Sequence, residues 1–541
     1  MHRIPDFARG ARVHFTFDHR TIEAYENESL ASAILASKHN VLSRSIRYHR
    51  SRTVFCSTGE CGWCAVEVNG ESNIGACLRK CADGLTVHSQ NAWPSAERDI
   101  FSLLNMVRFS LTNTFYHRLF LYPKFLRQFY LRCIRLFTGV GRVQSKPLPQ
   151  TRRTVANIHS PVVVIGNGLT GIGAAVTVAE RGEHVILIDR GEAISKRKDD
   201  VGISPALLEL IDKIKTLPQL EYWSNSNCVG LYENQTLGVI TPDKLVTLHA
   251  KQIIFAVGAL DAIPLFAGND LPGIISARLA ERLILKEGIA PGKKAVVWSV
   301  LGQSQSITSM LQHAGIEIVH QLQPEESIIE AKGGKQLYAV IIREADGRSR
   351  SMACDSLMID ALQPRNELLT QVGGQLQWDE STNGLVAMRD ATLQTSVKGV
   401  RVVGEAAGCF MDENRCLVEA RLAGFSALQD LGFDGIQDEI NRLKEFSHTK
   451  QFDSINFPAN SLNGVGYICF CEDVMEREIK LQMQDGYQSP ELIKRRTAIF
   501  TGPCQGKYCR ANAMRVYGVD VGATTARPPA TPIRMKDLLS D

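Results

Sequence analysis

Two sets of four cysteines, one near each end of the 541-residue chain, restrict most strongly what this sequence can fold into. The first set has the spacing C-x4-C-x2-C-x12-C and consists of Cys56, Cys61, Cys64 and Cys77. Four thiolates are the usual ligands of a [2Fe–2S] cluster, and the C-x4-C-x2-C run is one of its signatures. Gly59 and Gly62 lie inside the run, where a missing side chain lets backbone N–H groups approach inorganic sulfide. The alternative is zinc, but zinc sites usually pair two short C-x2-4-C units and this set has only one.

The segment around this set has the pattern of a small β-grasp domain of the ferredoxin kind. It predicts two β-hairpins with a helix between them, in the order Val13–Phe17 and Thr21–Tyr25, helix Ser29–His39, then Ala65–Val68 and Asn73–Cys77. The Asn69-Gly70 pair favours a tight turn in the second hairpin. We therefore predict a ferredoxin-like [2Fe–2S] domain over residues 1–95, and Cys81 just beyond the set stays unassigned.

The second set has the spacing C-x-C-x32-C-x4-C and consists of Cys469, Cys471, Cys504 and Cys509. Between its two pairs we predict helices over Glu476–Asp485, followed by Gly486 as a C-cap, and over Pro490–Arg496. The arrangement resembles the small helical [2Fe–2S] domain (BFD) of bacterioferritin-associated ferredoxin. Zinc or reduced surface cysteines are the alternatives, and the Cys-x-Cys start with the CQGKYC end favours a cluster. We predict this BFD-like domain and a tail over residues 456–541.

A dinucleotide motif lies in the middle of the chain. The apolar strand Pro161–Ile165 leads into a G-x-G-x-x-G turn, a helical stretch, the strand Val185–Ile188 and then Asp189. The three glycines of the turn are Gly166, Gly168 and Gly171. They permit a tight turn and close approach of a pyrophosphate, to which the helix N-terminus offers N–H groups. Asp189 follows the last glycine by eighteen residues, where an acid accepts a hydrogen bond from a ribose hydroxyl.

Two further segments fit a two-dinucleotide flavoprotein core of the glutathione-reductase type, predicted over residues 159–455. One is the strand Ile253–Val257, and the other is VKGVRVVGEAAG at residues 397–408. The residues that would contact the nucleotide from these segments are Ala256, Gly258, Gly404 and Glu405. That family more often has aspartate where this chain has Glu405, and an ordinary strand-end carboxylate is the alternative for this residue.

The second nucleotide subdomain, at about residues 290–390, is weaker in sequence. Lys294–Val300 and Glu317–His320 read as strands around a helix at Ile307–Gly315. The turn before the helix keeps only Gly302, and the second strand ends in His320-Gln321 without an acid. We expect the subdomain to be retained, while the depleted turn argues against a working nicotinamide site.

Composition excludes several classes of protein. The 44% hydrophobic and 22% charged residues are those of a globular protein, and a net charge of +4 without a Lys/Arg block argues against nucleic-acid binding. Fourteen cysteines fit clusters in a reducing compartment better than disulfides. The sequence has no paired histidine motif. It also has no C-x-x-C near the first nucleotide motif, so thiol–disulfide chemistry of the thioredoxin reductase kind is not expected.

The N-terminus has no apolar h-region, and no run of eighteen apolar residues occurs, so we expect neither a secretory signal nor a transmembrane helix. Residues 96–158 are rich in aromatic and basic residues and are predicted to form a helical linker. We favour packing against the core or a partner over an interfacial membrane contact. The expected localisation is cytoplasmic, with peripheral attachment to the inner face of the membrane left open.

The order of these parts resembles the alpha subunits of heteromeric flavin-dependent amine and amino-acid dehydrogenases. That family includes the alpha chains of sarcosine oxidase and of dye-linked proline or hydroxyproline dehydrogenase, the A chain of opine oxidase, and the small chains of hydrogen cyanide synthase. The most specific segments are PLFAGNDLPGI (264–274) and ARPPATPI (526–533).

The resemblance implies an electron-transfer role. In the family, a beta subunit of the D-amino-acid-oxidase type carries its own FAD and oxidises the amine, and the alpha subunit passes electrons onward. At the glycine motif of this chain the resemblance implies FAD, although some members hold NAD or another adenine nucleotide there, and some hold FMN at the subunit interface. Sarcosine oxidase alpha subunits continue into a folate-binding domain, and because this sequence stops at Asp541 we expect no folate chemistry.

We therefore predict an electron-transfer alpha subunit of an FAD-dependent amino-acid or amine dehydrogenase or oxidase of the opine, proline/hydroxyproline, sarcosine or glycine class. The eight cysteines would ligate two [2Fe–2S] clusters, and no residue is assigned as catalytic because the cofactors carry the redox chemistry. One alternative is a stand-alone NAD(P)H-dependent ferredoxin-type reductase, and another is a scaffold with structural clusters. The sequence identifies neither the amine nor the downstream electron acceptor.

Overall fold

The computed structural model describes residues 1–5, 7–107, 123–137, 152–192, 194, 203–382, 384–410, 412–447, 464–518 and 524–540. The chain forms two compact units, each assembled from separated segments. The segments of the first unit are Met1–Pro147, Asp261–Ala361 and Asn456–Gly522. Those of the second unit are Leu148–Leu260, Leu362–Ile455 and Ala523–Asp541. The domain boundaries drawn from the sequence stay predictions, and parts of the predicted linker, 108–122 and 138–151, lie outside the described residues.

The N-terminal segment of the first unit contains a five-stranded sheet with one helix. The strands, in spatial order, are Arg20–Tyr25, Arg12–Phe17, Thr86–Ser89, Ala65–Val68 and Glu71–Gly75. Both predicted hairpins are present and antiparallel, whereas Thr16 and Phe17 pair in parallel with Thr86 and Val87. The helix Leu30–Ala36 begins after Ser29, whose side chain accepts a hydrogen bond from Ser32 N. This serine cap satisfies one of the free N–H groups of the first turn.

The segment 261–361 of the first unit builds a parallel sheet and an antiparallel one. The four parallel strands, in spatial order, are Ile274–Ser276, Ser356–Asp360, Lys294–Ser299 and Glu317–Gln321. The antiparallel strands are Ser327–Gly333, Leu337–Arg343 and Ser349–Ala353. Helices Ala277–Leu285 and Ser304–His313 accompany the parallel strands. One apolar core joins this sheet to the N-terminal segment and includes Phe15, Ile34, Leu279 and Val297.

The remaining elements of the first unit are short. The helices are Ile100–Val107 (3-10), Lys124–Phe137, Glu476–Gln484, Pro490–Thr497 and Arg510–Tyr517. The two-stranded pairs are His2–Arg3 with Ile289–Ala290, Ser43–Arg44 with Ser51–Arg52, and Tyr467–Cys469 with Val474–Met475. The two helices predicted between the C-terminal cysteine pairs are therefore found, and each ends within one residue of its predicted end.

The second unit is built on a seven-stranded sheet. Six strands follow in the order Leu220–Trp223, Val185–Ile188, Thr154–Ile165, Lys244–Phe255, Thr236–Ile240 and Asn227–Tyr232, and Val400–Val402 also pairs with Lys244–Phe255. The strand Thr154–Ile165 pairs in parallel with both of its neighbours, which is the arrangement that the dinucleotide motif requires. The smaller strands are Leu362–Pro364, Leu376–Asp379 and Gly384–Ala387, and Ala259–Asp261 crosses the unit boundary.

Helices cover the sheet of the second unit. They are Leu169–Ala179, Pro205–Ile214, Glu367–Gln371, Glu413–Asp430 and Gln437–Ser447, with 3-10 turns at Gly404–Ala407 and Met535–Leu538. Leu169–Ala179 and Glu413–Asp430 pack closely because Gly173 and Gly424 remove side chains from their contact, and a Cβ at Gly424 would lie 2.9 Å from Thr177 Cβ. The helix that carries the glycine motif is thereby fixed by the later helix. Among the described residues, no helix is long and apolar enough to cross a membrane.

Candidate cofactor sites

The first cysteine set is gathered at one buried place. Cys56, Cys61, Cys64 and Cys77 are each at most 9% exposed. The Cys56 sulfur makes hydrogen-bonding contact with the sulfurs of Cys61 and Cys77, and Cys77 also contacts Cys64. Contacts from Cys61 and Cys77 hold the pKa of the Cys56 thiol well below its usual range. Burial and the same contacts raise the pKa values of Cys61 and Cys77, so negative charge is favoured at Cys56 at the expense of its neighbours.

Backbone N–H groups of the same loop point at these sulfurs. Thr58 N and Cys61 N each lie 3.4 Å from Cys56 Sγ, and Trp63 N lies 3.5 Å from Cys61 Sγ. Gly59 and Gly62 adopt φ values of +76° and +72°, a backbone conformation that favours glycine. N–H donors around four buried thiols fit a cluster with thiolate ligands, because such hydrogen bonds stabilise negative charge on sulfur.

The second cysteine set is also gathered and buried. Cys469, Cys471, Cys504 and Cys509 are each at most 7% exposed. The sulfur of Cys469 contacts those of Cys471 and Cys509, and Cys471 contacts Cys504. Within the described part of the chain, no three or more His, Cys, Asp or Glu side chains are arranged to hold a metal ion. The ligand assignments therefore rest on spacing and on the gathering of the thiols, and they remain predictions.

The two sets lie directly against each other within the first unit. The Cys471 sulfur is 3.9 Å from the carbonyl oxygen of Cys61. A Cβ on Gly62 would come within 2.9 Å of Pro503 Cβ, so only glycine permits this approach. Lys507 and Glu60 join the two cysteine loops through an ion pair of 3.3 Å, and both side chains are fully buried.

Aromatic side chains surround this contact. Trp63 stacks on Phe55 with ring centroids 4.6 Å apart and meets Phe470 edge-on at 5.0 Å. Tyr508 packs edge-on against Phe55 at 5.2 Å. All four rings are at most 9% exposed, so they exclude water from the space around both cysteine loops.

A buried charge network holds the same region together. The Arg52 guanidinium donates to Asp270 at 2.8 Å and to the Phe470 carbonyl at 2.7 Å, and it also pairs with Asp473. Arg50 adds two further bonds to Asp270. Burial by itself would raise the pKa of Asp270, but the charges of Arg50 and Arg52 outweigh it and lower that pKa to about 2. Asp270 lies in the family-specific segment 264–274, to which the sequence alone assigned no physical role.

A cavity of about 250 Å³ opens in the second unit at the glycine motif. The predicted nucleotide residues that line it are Gly166, Gly168, Asp189, Ala256 and Gly258. Gly171, Gly404 and Glu405 do not line it. The cavity lies at the carboxyl ends of parallel strands, where open α/β sheets bind their ligands.

The three glycines of the motif have different structural surroundings. A Cβ on Gly171 would lie 1.8 Å from the Gly166 carbonyl oxygen, and a Cβ on Gly166 would lie 2.2 Å from the Ala256 carbonyl oxygen. Those two glycines are therefore required by the packing of the protein itself. Gly168, by contrast, has open space within 4 Å of its Cβ position and is the N-cap of the helix Leu169–Ala179. This open cradle before free helical N–H groups fits a pyrophosphate.

The two predicted acids are held by backbone N–H groups. Asp189 accepts hydrogen bonds from Asn167 N at 3.1 Å and Gly191 N at 2.6 Å, so its carboxylate is fixed at the rim of the cavity. Glu405 lies elsewhere, on a 3-10 turn, where its Oε2 is 3.3 Å from Ala259 N. The role of Glu405 toward a nucleotide therefore stays a prediction. The hydrogen bond from Ala259 N gives the Glu405 carboxylate a structural role as well.

Several lining residues were not predicted. Asn227 donates to Thr531 at 2.8 Å, Ala530 N donates to the Val229 carbonyl at 2.6 Å, and Asn227, Ala530 and Thr531 all line the cavity. Arg365, which follows the strand Leu362–Pro364, also lines the cavity. The segment ARPPATPI at residues 526–533 was singled out as family-specific, but no local pattern showed that it returns to the nucleotide motif.

The second nucleotide subdomain, in the first unit, has a different turn. Gln321 Nε2 donates to Ser304 Oγ at 2.6 Å, and Thr308 Oγ1 donates to Gln321 Oε1 at 3.3 Å. An acid at the end of this strand would normally serve a ribose, whereas Gln321 is bound to the N-terminal turn of the helix Ser304–His313. The strands and helix of the subdomain are present, and the loss of its nicotinamide site stays a prediction.

Comparison with known proteins finds two matching family models and relatives that are similar over most of the chain. Residues 10–92 match a 2Fe-2S iron-sulfur cluster binding domain, and residues 463–540 match the sarcosine oxidase A3 domain. The sarcosine oxidase alpha chain of Rhizobium meliloti is 26% identical over 97% of this chain. The chain is a homologue of sarcosine oxidase alpha subunits. It spans 57% of the length of that relative.

Two further relatives agree with this homology. The A chain of opine oxidase from R. meliloti is 25% identical over 70% of this chain and 97% of its own length. The crystal structure of L-proline dehydrogenase from P. horikoshii has a TM-score of 0.75, 22% identity and 99% coverage of both chains, so the two share a fold. The predicted resemblance is confirmed, as is the α/β fold class with a ferredoxin-like domain, a flavoprotein-type core and a small C-terminal domain.

Proposed function

We propose that this chain is the electron-transfer alpha subunit of a heteromeric flavin-dependent amino-acid or amine dehydrogenase. The observation that carries the proposal is the contact between the two cysteine sets, with Cys471 Sγ 3.9 Å from the Cys61 carbonyl oxygen. Electron transfer slows steeply with distance, so two clusters held by adjacent loops would exchange electrons readily. A scaffold needs no such contact between redox ligands.

The chain's own residues would provide the surroundings of two [2Fe–2S] clusters, which supply one-electron transfer when bound. The eight cysteines would be the ligands, four in each set. Thr58 N, Cys61 N and Trp63 N stabilise negative charge on the first set. The aromatic side chains around the contact keep water out, and burial together with hydrogen bonds to sulfur sets the potential of such centres.

The nucleotide would occupy the cavity of the second unit, with FAD as the first candidate and NAD or another adenine nucleotide as the second. Gly168 and the N-terminus of the helix Leu169–Ala179 would accept the pyrophosphate, and Asp189 would accept a hydrogen bond from the ribose. Asn227 and Thr531 would close the cavity beside it. These residues bind and orient; none is proposed to transfer a proton.

The homology supports a flavoprotein partner. The sarcosine oxidase and opine oxidase relatives are named as subunits, and the related proline dehydrogenase acts on an amino acid by its name. We infer that a D-amino-acid-oxidase-like beta subunit with its own FAD oxidises a secondary amine or amino acid, and that an FMN at the subunit interface connects it to this chain. The proposed class covers opine, proline or hydroxyproline, sarcosine and glycine.

The decisive experiment is anaerobic purification of this chain with whatever partner it retains. We expect about four irons and four sulfides per chain, a flavoprotein partner in near-stoichiometric amount, and bleaching of the cluster absorbance by an amino acid. Zinc in place of iron, or clusters that substrate and partner cannot reduce, would overturn the relay. Rapid reduction of the isolated chain by NADH would instead support a stand-alone reductase.

Single-cysteine variants test the ligand assignment of each set separately. Cys77→Ser should remove about half of the iron and one of two electron paramagnetic resonance signals, and Cys504→Ser should remove the other half. Cys81→Ser is the control, because Cys81 is equally buried, lies four residues from Cys77 and belongs to neither set. If Cys81→Ser lost as much iron as Cys77→Ser, the ligand assignment would be wrong.

A further inference from the structure

Six cysteines lie outside the two four-cysteine sets, and two of them meet in the second unit. Cys409 Sγ and Cys416 Sγ are 3.5 Å apart. Cys409 follows the turn Gly404–Ala407, and Cys416 lies in the helix Glu413–Asp430. Only six residues separate the two cysteines, so a bond between them would close a small ring.

The surroundings of the pair favour mutual contact. The Cys416 thiol is 3.6 Å from the Cys409 carbonyl oxygen, and the Cys409 thiol is 3.8 Å from the Asp412 carbonyl oxygen. In these contacts neither cysteine touches a member of the two four-cysteine sets. A disulfide bond requires the two sulfur atoms to close from 3.5 Å to about 2.05 Å.

The two cysteines differ in solvent exposure and in their position in the fold. Cys416 is 8% exposed and Cys409 is 0% exposed, so Cys416 is the less enclosed residue and is assigned the first attack. Cys416 occupies the first turn of the 18-residue helix Glu413–Asp430, whose N-cap is Asp412. The buried Cys409 sulfur, 3.5 Å from Cys416 Sγ, is the sulfur within reach for a second, resolving step.

The other buried cysteines provide a contrast. Burial raises the pKa of Cys228 and that of Cys354 to about 12. A buried thiol with a raised pKa and no second sulfur is chemically inert. Cys409 and Cys416 therefore differ from them by having a partner for oxidation.

We propose that Cys409 and Cys416 are a redox-active dithiol that a low-molecular-weight disulfide oxidises to an internal disulfide. In the first step the Cys416 thiolate attacks the small disulfide, a mixed disulfide forms and one small thiolate leaves. In the second step the Cys409 sulfur attacks the Cys416 sulfur and expels the second small thiolate. Two S–H bonds of the protein are lost and one S–S bond forms, while the two electrons and two protons reduce the small disulfide to two thiols.

The cysteine pair lies between the turn Gly404–Ala407 and the start of the helix Glu413–Asp430. An internal disulfide would tie the turn that carries Glu405 to the helix Glu413–Asp430, and that helix packs on Leu169–Ala179. The bond would thus stiffen the turn in the oxidised protein. The two sulfurs are in contact whichever nucleotide the unit binds.

The test uses oxidised glutathione on the anaerobic holoprotein, followed by acid quenching and alkylation of free thiols under denaturing conditions. Trypsin cuts after Arg415, between the two cysteines, so the bond would link peptide 402–415 to peptide 416–421. We expect this linked pair to become the major form of both peptides and to disappear after dithiothreitol. The visible absorbance of the clusters, followed in parallel, should stay constant during the oxidation.

Two variants complete the test. Cys409→Ser should leave Cys416 as a mixed disulfide with glutathione, because the resolving sulfur is absent. Cys228→Ser, a buried cysteine of the same unit, should form the 409–416 link as the wild type does. The proposal fails if both peptides of the native wild type remain fully alkylated, if the wild type stops at the mixed disulfide, or if the link forms only after unfolding.

Discussion

The sulfur of Cys471 lies 3.9 Å from the carbonyl oxygen of Cys61, although 410 residues separate the two cysteines along the chain. This contact makes the two cysteine sets neighbours inside one compact unit. The approach depends on Gly62, whose missing side chain admits Pro503, and on an ion pair between Lys507 and Glu60. The relation between the sets can therefore be disturbed without touching a sulfur atom.

Removal of one member of this ion pair should destabilise the first unit strongly. In Lys507→Met the Glu60 carboxylate, 1% exposed, loses its counter-charge. We expect the free energy of unfolding to fall by about 3–5 kcal/mol, the usual cost of removing one partner of a buried ion pair. Chemical denaturation of the cluster-loaded protein measures this loss.

The double variant Lys507→Met/Glu60→Gln should lose less than the sum of the two single variants, because no buried charge remains. Lys294→Met is the matched surface control. Its partner Glu317 is 3.2 Å away, but both side chains are more than half exposed, so a loss below about 1 kcal/mol is expected. Additive losses in the double variant would show that Lys507 and Glu60 do not interact.

Asp270 gives the first unit a stability that depends on pH. Its pKa lies at about 2 instead of 3.8 because Arg50 and Arg52 face it. A carboxyl group with a lowered pKa stabilises the folded state above its unfolded pKa, and this contribution is lost as the pH falls through the folded pKa. Asp270→Asn should therefore lower the free energy of unfolding by about 2 kcal/mol at pH 7.

The difference between wild type and Asp270→Asn should shrink as the pH falls from about 4 toward 2. Thermal unfolding midpoints of both proteins over this range test the sign. Asp346→Asn is the control, since Asp346 pairs with Arg348 at an exposed site and should change the midpoint little at any pH. A difference that stays constant from pH 7 to the lowest pH would contradict the role of the Asp270 charge.

Local patterns in the sequence predicted the elements that short-range rules govern. The hairpin at Ala65–Val68 follows from residue alternation and the Asn-Gly turn, and the strand Val185–Ile188 follows from its apolar run before Asp189. The gathering of each cysteine set follows from ligand spacing, because four thiolates around one cluster must converge.

Contacts between distant segments had no such signal. Nothing near Gly62 indicates that Pro503 packs on it, and nothing near Asn227 indicates Thr531, which lies 304 residues away. The sequence also assigned no physical role to Asp270, although its segment was recognised as family-specific. Register and alternation are local properties, whereas the partners of a buried charge or a missing side chain depend on the tertiary fold.

Two glycines of the nucleotide motif should respond differently to a methyl group. Gly168→Ala adds a Cβ with no protein atom within 4 Å, so the thermal midpoint of nucleotide-free protein should stay unchanged. Nucleotide affinity should fall at least tenfold, about 1.4 kcal/mol, because the methyl group takes the space of the pyrophosphate. Bound nucleotide released by denaturation measures the loss.

Gly171→Ala should lower both quantities, because its Cβ would lie 1.8 Å from the Gly166 carbonyl oxygen and force the turn apart. Gly334→Ala, at another glycine with open space around it, is the control and should change neither. Equal nucleotide binding by Gly168→Ala and the wild type would place the pyrophosphate elsewhere.

We expect that NADH does not reduce this chain in a saturable, binding-dependent reaction. At the second nucleotide turn, Gln321 is hydrogen-bonded to Ser304 and Thr308, so no acid is available there for a ribose. Anaerobic stopped-flow absorbance of the clusters should show no saturable NADH phase, while dithionite reduces the same sample fully and so proves the clusters competent. A saturable NADH phase would place NADH at the Gly302 turn or in the cavity at Gly168, and it would mean that electrons enter this chain without an amine-oxidising partner.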